Sequence, residues 1–163
     1  MKMLARQPGA IFIGQGVKFD GVSMFHDFEG IVDDQRIEYP VAEELQLGFG
    51  TGLAMLGFLP ILVFPRIDFL LRAADQLVNH LDKIDAMSRG DFRPKVIIRT
   101  RVGGKYPLDA GPQHTQNHVA AFRKMLTTVR VIEIPDENSI GPAYQLAAHW
   151  PSSVMVVEAI LCS

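Results

Sequence analysis

Apolar positions along this chain fall into two alternating rhythms. Short unbroken runs, "AIFIG" (10–14), "PILVF" (60–64), "KVIIRT" (95–100), "VRVIEI" (129–134) and "SVMVVE" (153–158), read as strands buried on both faces. A strand covered on one side only would alternate apolar with polar residues. "RIEYP" (36–40) is a shorter extended piece that ends at Pro40. Longer segments with helical spacing lie between these runs. One extends from about Ala42 to Leu56 and is stopped by Gly57. Another, "IDFLLRAADQLVNHLDKIDAM" (67–87), carries apolar residues at 67, 70, 71, 74, 77, 78, 81 and 84. That spacing predicts one long amphipathic helix, ended by "SRGDFRP". "HVAAFRKML" and "NSIGPAYQLAAHW" predict two shorter helices. A glycine-bearing loop through Gly16, Gly21 and Gly30 follows the first strand, and "RVGGKYPLDAGPQ" is a long loop after "KVIIRT". Strands alternating with helices predict an α/β fold, a mainly parallel sheet with helices on both faces. With no repeat, linker or low-complexity segment, residues 1–163 read as a single domain.

From Leu45 to Pro65 the chain carries no charge, which is the length of a membrane span. Gly48, Gly50, Gly52 and Gly57 dilute the run and Pro60 divides it, so a buried helix running into a buried strand is the better reading. Hydrophobic residues make up 48% and charged residues 21% of the chain, a globular balance that excludes disorder. The net charge of −2 offers no electrostatic grip on nucleic acid or an anionic membrane. The single cysteine, Cys162, cannot form an internal disulfide, which fits a reducing, cytoplasmic setting. "MKMLARQPGAIFIG" lacks the continuous apolar run of a signal peptide and reads as mature protein.

Generic motifs explain little of this chain. "GFGTG" and "GQGVKFDG" are glycine-rich, but neither carries the Lys-Ser/Thr of a phosphate loop or sits between a strand and a helix as GxGxxG must. Helix packing and a tight turn account for them. His114 and His118, four apart, could share a helical face as metal ligands, but no third ligand lies nearby. Gly-x-Ser-x-Gly is absent, and Cys162 has no local histidine partner. What stands out is the acid pair Glu43 and Glu44, placed at the mouth of the charge-free run. A first-turn acid is favoured by the helix dipole, which suffices for Glu44; an acid beside so apolar a stretch also suits proton transfer.

Taken in order, "YPVAEELQLGFGTGLAMLGFLPILVF", "FLLRAADQLVN", "AMSRG", "VIIRT" and "AGPQHTQ" resemble the pyrimidine-binding domain of thiamine-diphosphate enzymes. The likeness is greatest to the β subunit of the dehydrogenase component of 2-oxo acid dehydrogenase complexes, and it runs from about Ala10 to Glu158. The resemblance implies the thiamine-diphosphate-binding fold of pyrimidine-binding type. It implies that Glu43 is the acid that hydrogen-bonds a ring nitrogen of the cofactor's aminopyrimidine, and whose proton exchange activates the thiazolium carbon toward a 2-oxo acid. The charge-free run would give that acid a dry surround that raises its pKa. Phe69 matches an aromatic that packs on the pyrimidine, although Phe on such a stripe is as readily plain core. His114 matches a histidine at the substrate end of the cofactor that stabilises the intermediate and assists acyl transfer, with Gln113 a neighbour that could orient it.

Departures from the family bear on function. The family's β subunit continues into a second domain, whereas this chain stops near the end of the first, leaving delivery to a lipoyl carrier in doubt. Ala42 stands where a serine is usual, and Lys105, Tyr106 and Asp109 occupy a longer loop that could retune the substrate pocket. The GDG…N signature for Mg²⁺ and the diphosphate is missing, so a companion chain would have to supply it. Self-association through apolar faces such as "FLLRAADQLV" is also expected. Two alternatives stay open: a transketolase- or deoxyxylulose-phosphate-synthase-like subunit moving ketol or acyl units, and a non-catalytic interaction domain.

Overall fold

The computed structural model describes residues 1–19, 24–104 and 109–159; Gly21, Lys105, Tyr106 and Cys162 lie outside the described residues. Among these, six strands form one sheet: β1 (Ala10–Gly14), β2 (Arg36–Glu38), β3 (Leu59–Val63), β4 (Ile97–Arg101), β5 (Arg130–Ile134) and β6 (Val154–Glu158). Their order is β2-β1-β3-β4-β6-β5, and every pairing is parallel. Parallel neighbours require crossover connections, and these supply helices on both faces. Alternate strand residues therefore enter two separate cores. Ile13, Leu62, Ile98 and Met155 pack beneath α2 (Glu43–Met55), the helical strip 67–87 and α5 (Val119–Met125). Phe12, Ile61, Ile97 and Val156 pack on the other face with α1 (Lys2–Ala5) and α6 (Ile140–His149).

The strip 67–87 is not the single regular helix its spacing predicts. It is built from α3 (Ile67–Leu70), a 3₁₀ turn (Leu71–Ala73), a π turn (Gln76–Leu81) and α4 (Ile84–Met87). Ile67, Leu70, Ala73, Leu77 and Leu81 are its buried apolar residues, spaced by three through the tight turn and by four afterwards. A three-residue turn stacks positions i and i+3, so Ala73 takes the core place expected of Ala74 and Leu71 turns outward. Nor do His114 and His118 share a helical face: α5 starts at Val119, with His118 at its cap and His114 in the preceding turn. The four-residue α1, too short to show a period, went unpredicted; its Leu4 is buried. No helix among the described residues is long and apolar enough to cross a membrane.

Two close approaches seat α2 on the sheet. Gln46 donates from Nε2 to the carbonyls of Ile13 and Val63 at 3.0 and 3.1 Å, tying the helix to β1 and β3. One turn on, a Cβ at Gly50 would lie 2.6 Å from the Leu62 side chain, so the helix can settle this low only with glycine there. Of the glycines of "GFGTG", Gly50 serves packing, as the sequence suggests, while Gly52 faces open space.

Candidate functional site

Glu43, Phe69 and His114 follow the C-terminal ends of three strands, β2, β3 and β4. In an open parallel sheet, ligands bind outside the carboxyl ends where the strand order reverses, and here it reverses around β1 and β3. Topology therefore gathers residues from distant stretches at one edge.

Glu43 is the first residue of α2, and because Gln46 anchors the helix one turn later, its place is set by the core. The residue is only 8% exposed, yet its carboxylate accepts no hydrogen bond from any described residue. It lines a cleft of about 510 Å³ with Val41, Leu45, Phe49, Arg72 and Gln76. That surround differs from the dry one expected. Arg72, Gln76 and the neighbouring Glu44 bring polarity to the cleft, while part of the charge-free run faces outward, Leu45 being 62% and Leu56 76% exposed. Leu45 and Phe49, with Val41 ahead of the run, form an outer apolar face beside the acid. Tyr39 stacks on Phe49 at 5.8 Å between ring centres.

Phe69 and His114 meet edge to face, with ring centres 5.4 Å apart. They line a second cleft of about 390 Å³ with Met24, Pro65, Arg66 and Arg101. His114 Nδ1 lies 3.0 Å from the carbonyl of Ala110. A carbonyl only accepts, so Nδ1 donates, and in the neutral ring Nε2 keeps the lone pair. Gln113 is exposed and makes no described contact with that ring. Phe69 in one cleft and Arg72 in the other stand three residues apart along the helical strip.

Two features that hold the His114 loop escaped sequence reasoning. Asp68, buried at the start of α3, accepts from the backbone N–H and the side-chain amide of Gln116 at 3.3 and 3.2 Å. It thus clamps the loop to the helix carrying Phe69. Its Oδ2 and His118 Nε2 are buried without hydrogen-bond partners among the described residues, and His118 Nε2 stands 3.9 Å from Asp68 Oδ1. The second feature is Gly103, where a Cβ would lie 1.7 Å from the carbonyl oxygen of His114. Only the doubled glycine of "RVGGK" hinted at so tight a crossing.

Beside this edge lies an ionic cluster centred on the buried Arg99. Arg99 pairs with Asp27 at 2.5 Å and Glu158 at 2.8 Å, and Tyr144 donates to Glu158 at 2.6 Å. Burial alone would lower the Arg99 guanidinium, but Tyr144, Glu158 and Asp27 together raise it above its ordinary value. Among the described residues no group of three or more His, Cys, Asp or Glu is placed to hold a metal ion.

An all-parallel sheet with an acid, an aromatic ring and a histidine at its carboxyl edge defines the class. The chain belongs to the transketolase pyrimidine-binding domain family, whose profile, "Transketolase, pyrimidine binding domain", matches residues 1–159. Its curated relatives are β subunits of 2-oxo acid dehydrogenases. The 3-methyl-2-oxobutanoate dehydrogenase subunit beta of Mycobacterium tuberculosis is 26% identical over 162 residues, covering 95% of this chain and 44% of the relative. The 2-oxoisovalerate dehydrogenase subunit beta of Bacillus subtilis is 30% identical over 95 residues, 58% of this chain and 28% of the relative. The chain thus spans less than half the length of the relatives it matches. A solved structure titled "Split gene transketolase, inactive beta4 tetramer" superposes with a TM-score of 0.73 at 18% identity, over 96% of this chain and 48% of that one, a likeness of fold.

Proposed function

We propose that residues 1–159 form the pyrimidine half of a thiamine-diphosphate site in an enzyme acting on a 2-oxo acid. The diphosphate and its Mg²⁺ would be held by a domain outside these residues, which we assign to a companion chain in a cytoplasmic hetero-oligomer. One observation carries the reading: Glu43, almost wholly buried, has no described hydrogen-bond partner and opens into a cleft at the carboxyl edge of the sheet. A recessed carboxyl that no described residue engages is left to pair with whatever enters the cleft, and a ring nitrogen of an aminopyrimidine is such a partner. The residues therefore fit the group.

The cofactor, when bound, supplies the electron sink for decarboxylation. The chain does the rest. Glu43 holds and returns a proton at its carboxyl oxygen. Phe69 offers an apolar ring wall, and His114, with Nδ1 committed to Ala110, keeps Nε2 for proton transfer at the substrate end. The exposed apolar face of Val41, Leu45 and Phe49 beside Glu43 is what the companion chain would cover, excluding water from the acid. The stretch "FLLRAADQLV" spends Leu70, Ala73 and Leu77 on its own core, leaving Leu71 for such a contact.

The test is to assemble the full chain with chains bearing diphosphate-binding domains, then measure cofactor-dependent exchange of the thiazolium proton and decarboxylation of pyruvate and branched 2-oxo acids. Glu43→Gln slows exchange by about 100-fold or more. Unaltered exchange in the assembled variant refutes the assignment, and turnover by the chain alone refutes the divided site.

A further inference from the structure

A carboxylate oxygen and a ring nitrogen, both buried and both unpaired, lie beside the Phe69–His114 contact. Asp68 precedes Phe69 on α3, and its side chain is 5% exposed. Both hydrogen bonds it accepts from Gln116 go to Oδ1, which leaves Oδ2 buried with no described partner. His118 sits at the cap of α5, and its Nε2 is likewise buried and unpaired among the described residues. That nitrogen stands 3.9 Å from Asp68 Oδ1, and no other described carboxylate comes within 4 Å of it. A hydrogen bond needs an approach about 1 Å closer.

Buried polar atoms short of a partner both gain when they close on one another. The gain is largest with a charged ring, because a charge-assisted bond is about twice as strong as a neutral one. The other ionisable groups around this corner are disposed elsewhere. On α5, Arg123 pairs with Glu133 of β5 at 3.1 Å and Lys124 is exposed. Arg66, at the cap of α3, runs its stem along Gly103, and Arg101, at the end of β4, donates to the Pro65 carbonyl. His114 is committed through Nδ1 to Ala110. Asp68 and Phe69 are neighbours on α3, while His114, Gln116 and His118 belong to one loop. The Asp68 pairing and the Phe69–His114 ring contact therefore join the same two segments. We propose that His118 is a proton-operated positioning residue: charged, it donates from Nε2 to Asp68 and locks the His114 loop onto α3. As pH rises and the ring loses its charge, the bond weakens and the loop is freed. The proposal rests on the reading of His114 as the substrate-end residue, and it adds a control on that residue's placement.

Amide exchange of the full-length chain reads the latch without any turnover. Corrected for the pH dependence of exchange chemistry, protection at 114–117 is expected about tenfold higher at about pH 5.5 than at about pH 8, the interval in which histidine charge changes. Strand amides serve as the control and hold constant. His118→Gln keeps a donor and removes the titrating charge, while Asp68→Asn keeps an acceptor for Gln116 and removes the carboxylate. Each variant is expected to flatten the difference to within about twofold. Protection in the parent that does not vary with pH, or a pH dependence that survives in either variant, overturns the latch. In the assembled enzyme, the ratio of parent to His118→Gln kcat for decarboxylation is expected about tenfold larger at the acid end of that range, with KM and thiazolium-proton exchange within about twofold. A ratio constant with pH overturns the control of the reaction. Thiazolium-proton exchange absent from parent and variant alike would instead strike the proposed function, with the protection measurement still deciding the latch.

Discussion

Asp82 offers the sharpest test of how the amino-terminal edge of the sheet, opposite the site, is held. The residue is 1% exposed. Its carboxylate accepts from the backbone N–H groups of Thr127, Thr128 and Val129 at 2.8–3.0 Å, from the Thr127 hydroxyl at 2.8 Å and from the Lys83 ammonium at 2.6 Å. One side chain thereby staples the helical strip to the entry of β5. Burial pushes the Asp82 carboxyl up, but Lys83 and the N–H groups of Val129 and Thr128, with Thr127, outweigh it and hold the group well below its ordinary 3.8. Asp82→Asn keeps the shape and one acceptor but loses the charge. Hydrogen bonds to a charged acceptor are about twice as strong as neutral ones of ~1 kcal/mol, so three weakened N–H bonds cost about 3 kcal/mol. The displaced Lys83 adds little, because its side chain reaches water. For a chain of this size the cost lowers Tm by about 6–12 °C. The pH dependence has a definite sign. A folded carboxyl held low stabilises the protein fully above the ordinary carboxyl range and loses that contribution as pH falls below about 4. Denaturant unfolding of both proteins at neutral and acid pH is the assay. A loss under about 1 kcal/mol at neutral pH, or a variant as acid-sensitive as its parent, refutes the staple.

Three further outcomes follow from the site. Gly103→Ala must push the His114 carbonyl away by more than about 1 Å, and a displacement of that size costs ~100-fold in turnover; turnover of the assembled enzyme within about twofold of the parent contradicts the close crossing. Asp68→Ala frees Gln116 and the His114 loop, so amide exchange at 114–117 accelerates while strand amides stay protected, and a loop as protected as before contradicts the clamp. Ala42→Ser places a hydroxyl at the N-cap of α2, where φ −153° and ψ 67° lie outside the helical region and the cap is unmade, raising stability by about 1 kcal/mol in thermal unfolding; no gain would mean the N–H groups of the first turn are already satisfied.

How much of this was legible in advance varies with how local the information is. Runs such as "AIFIG" and "SVMVVE" carry a strand's signature in their own composition, because strands covered on both faces need no polar residue. The helix after Pro40 and the stop at Gly57 were equally local. The regularity of 67–87 was not: the spacing of apolar residues admits α, 3₁₀ and π turns alike, and contact with the sheet selected among them. Glu43, Phe69 and His114 could be named from ordered motifs, but the edge-to-face meeting of Phe69 and His114 depends on two loops leaving adjacent strands.

Sequence by itself determined the alternation of strands and helices, the family, and the acid that opens α2, since each is written in neighbouring residues. Tertiary structure alone decided that Glu43 sits recessed in a cleft with no described partner, that Leu45 and Leu56 of the charge-free run face outward while Leu47 and Leu62 enter the core, and that Arg66 and Arg101 share a mouth with His114. Burial and charge proximity are properties of surfaces brought together across long stretches of chain, and no local pattern encodes which surfaces those will be.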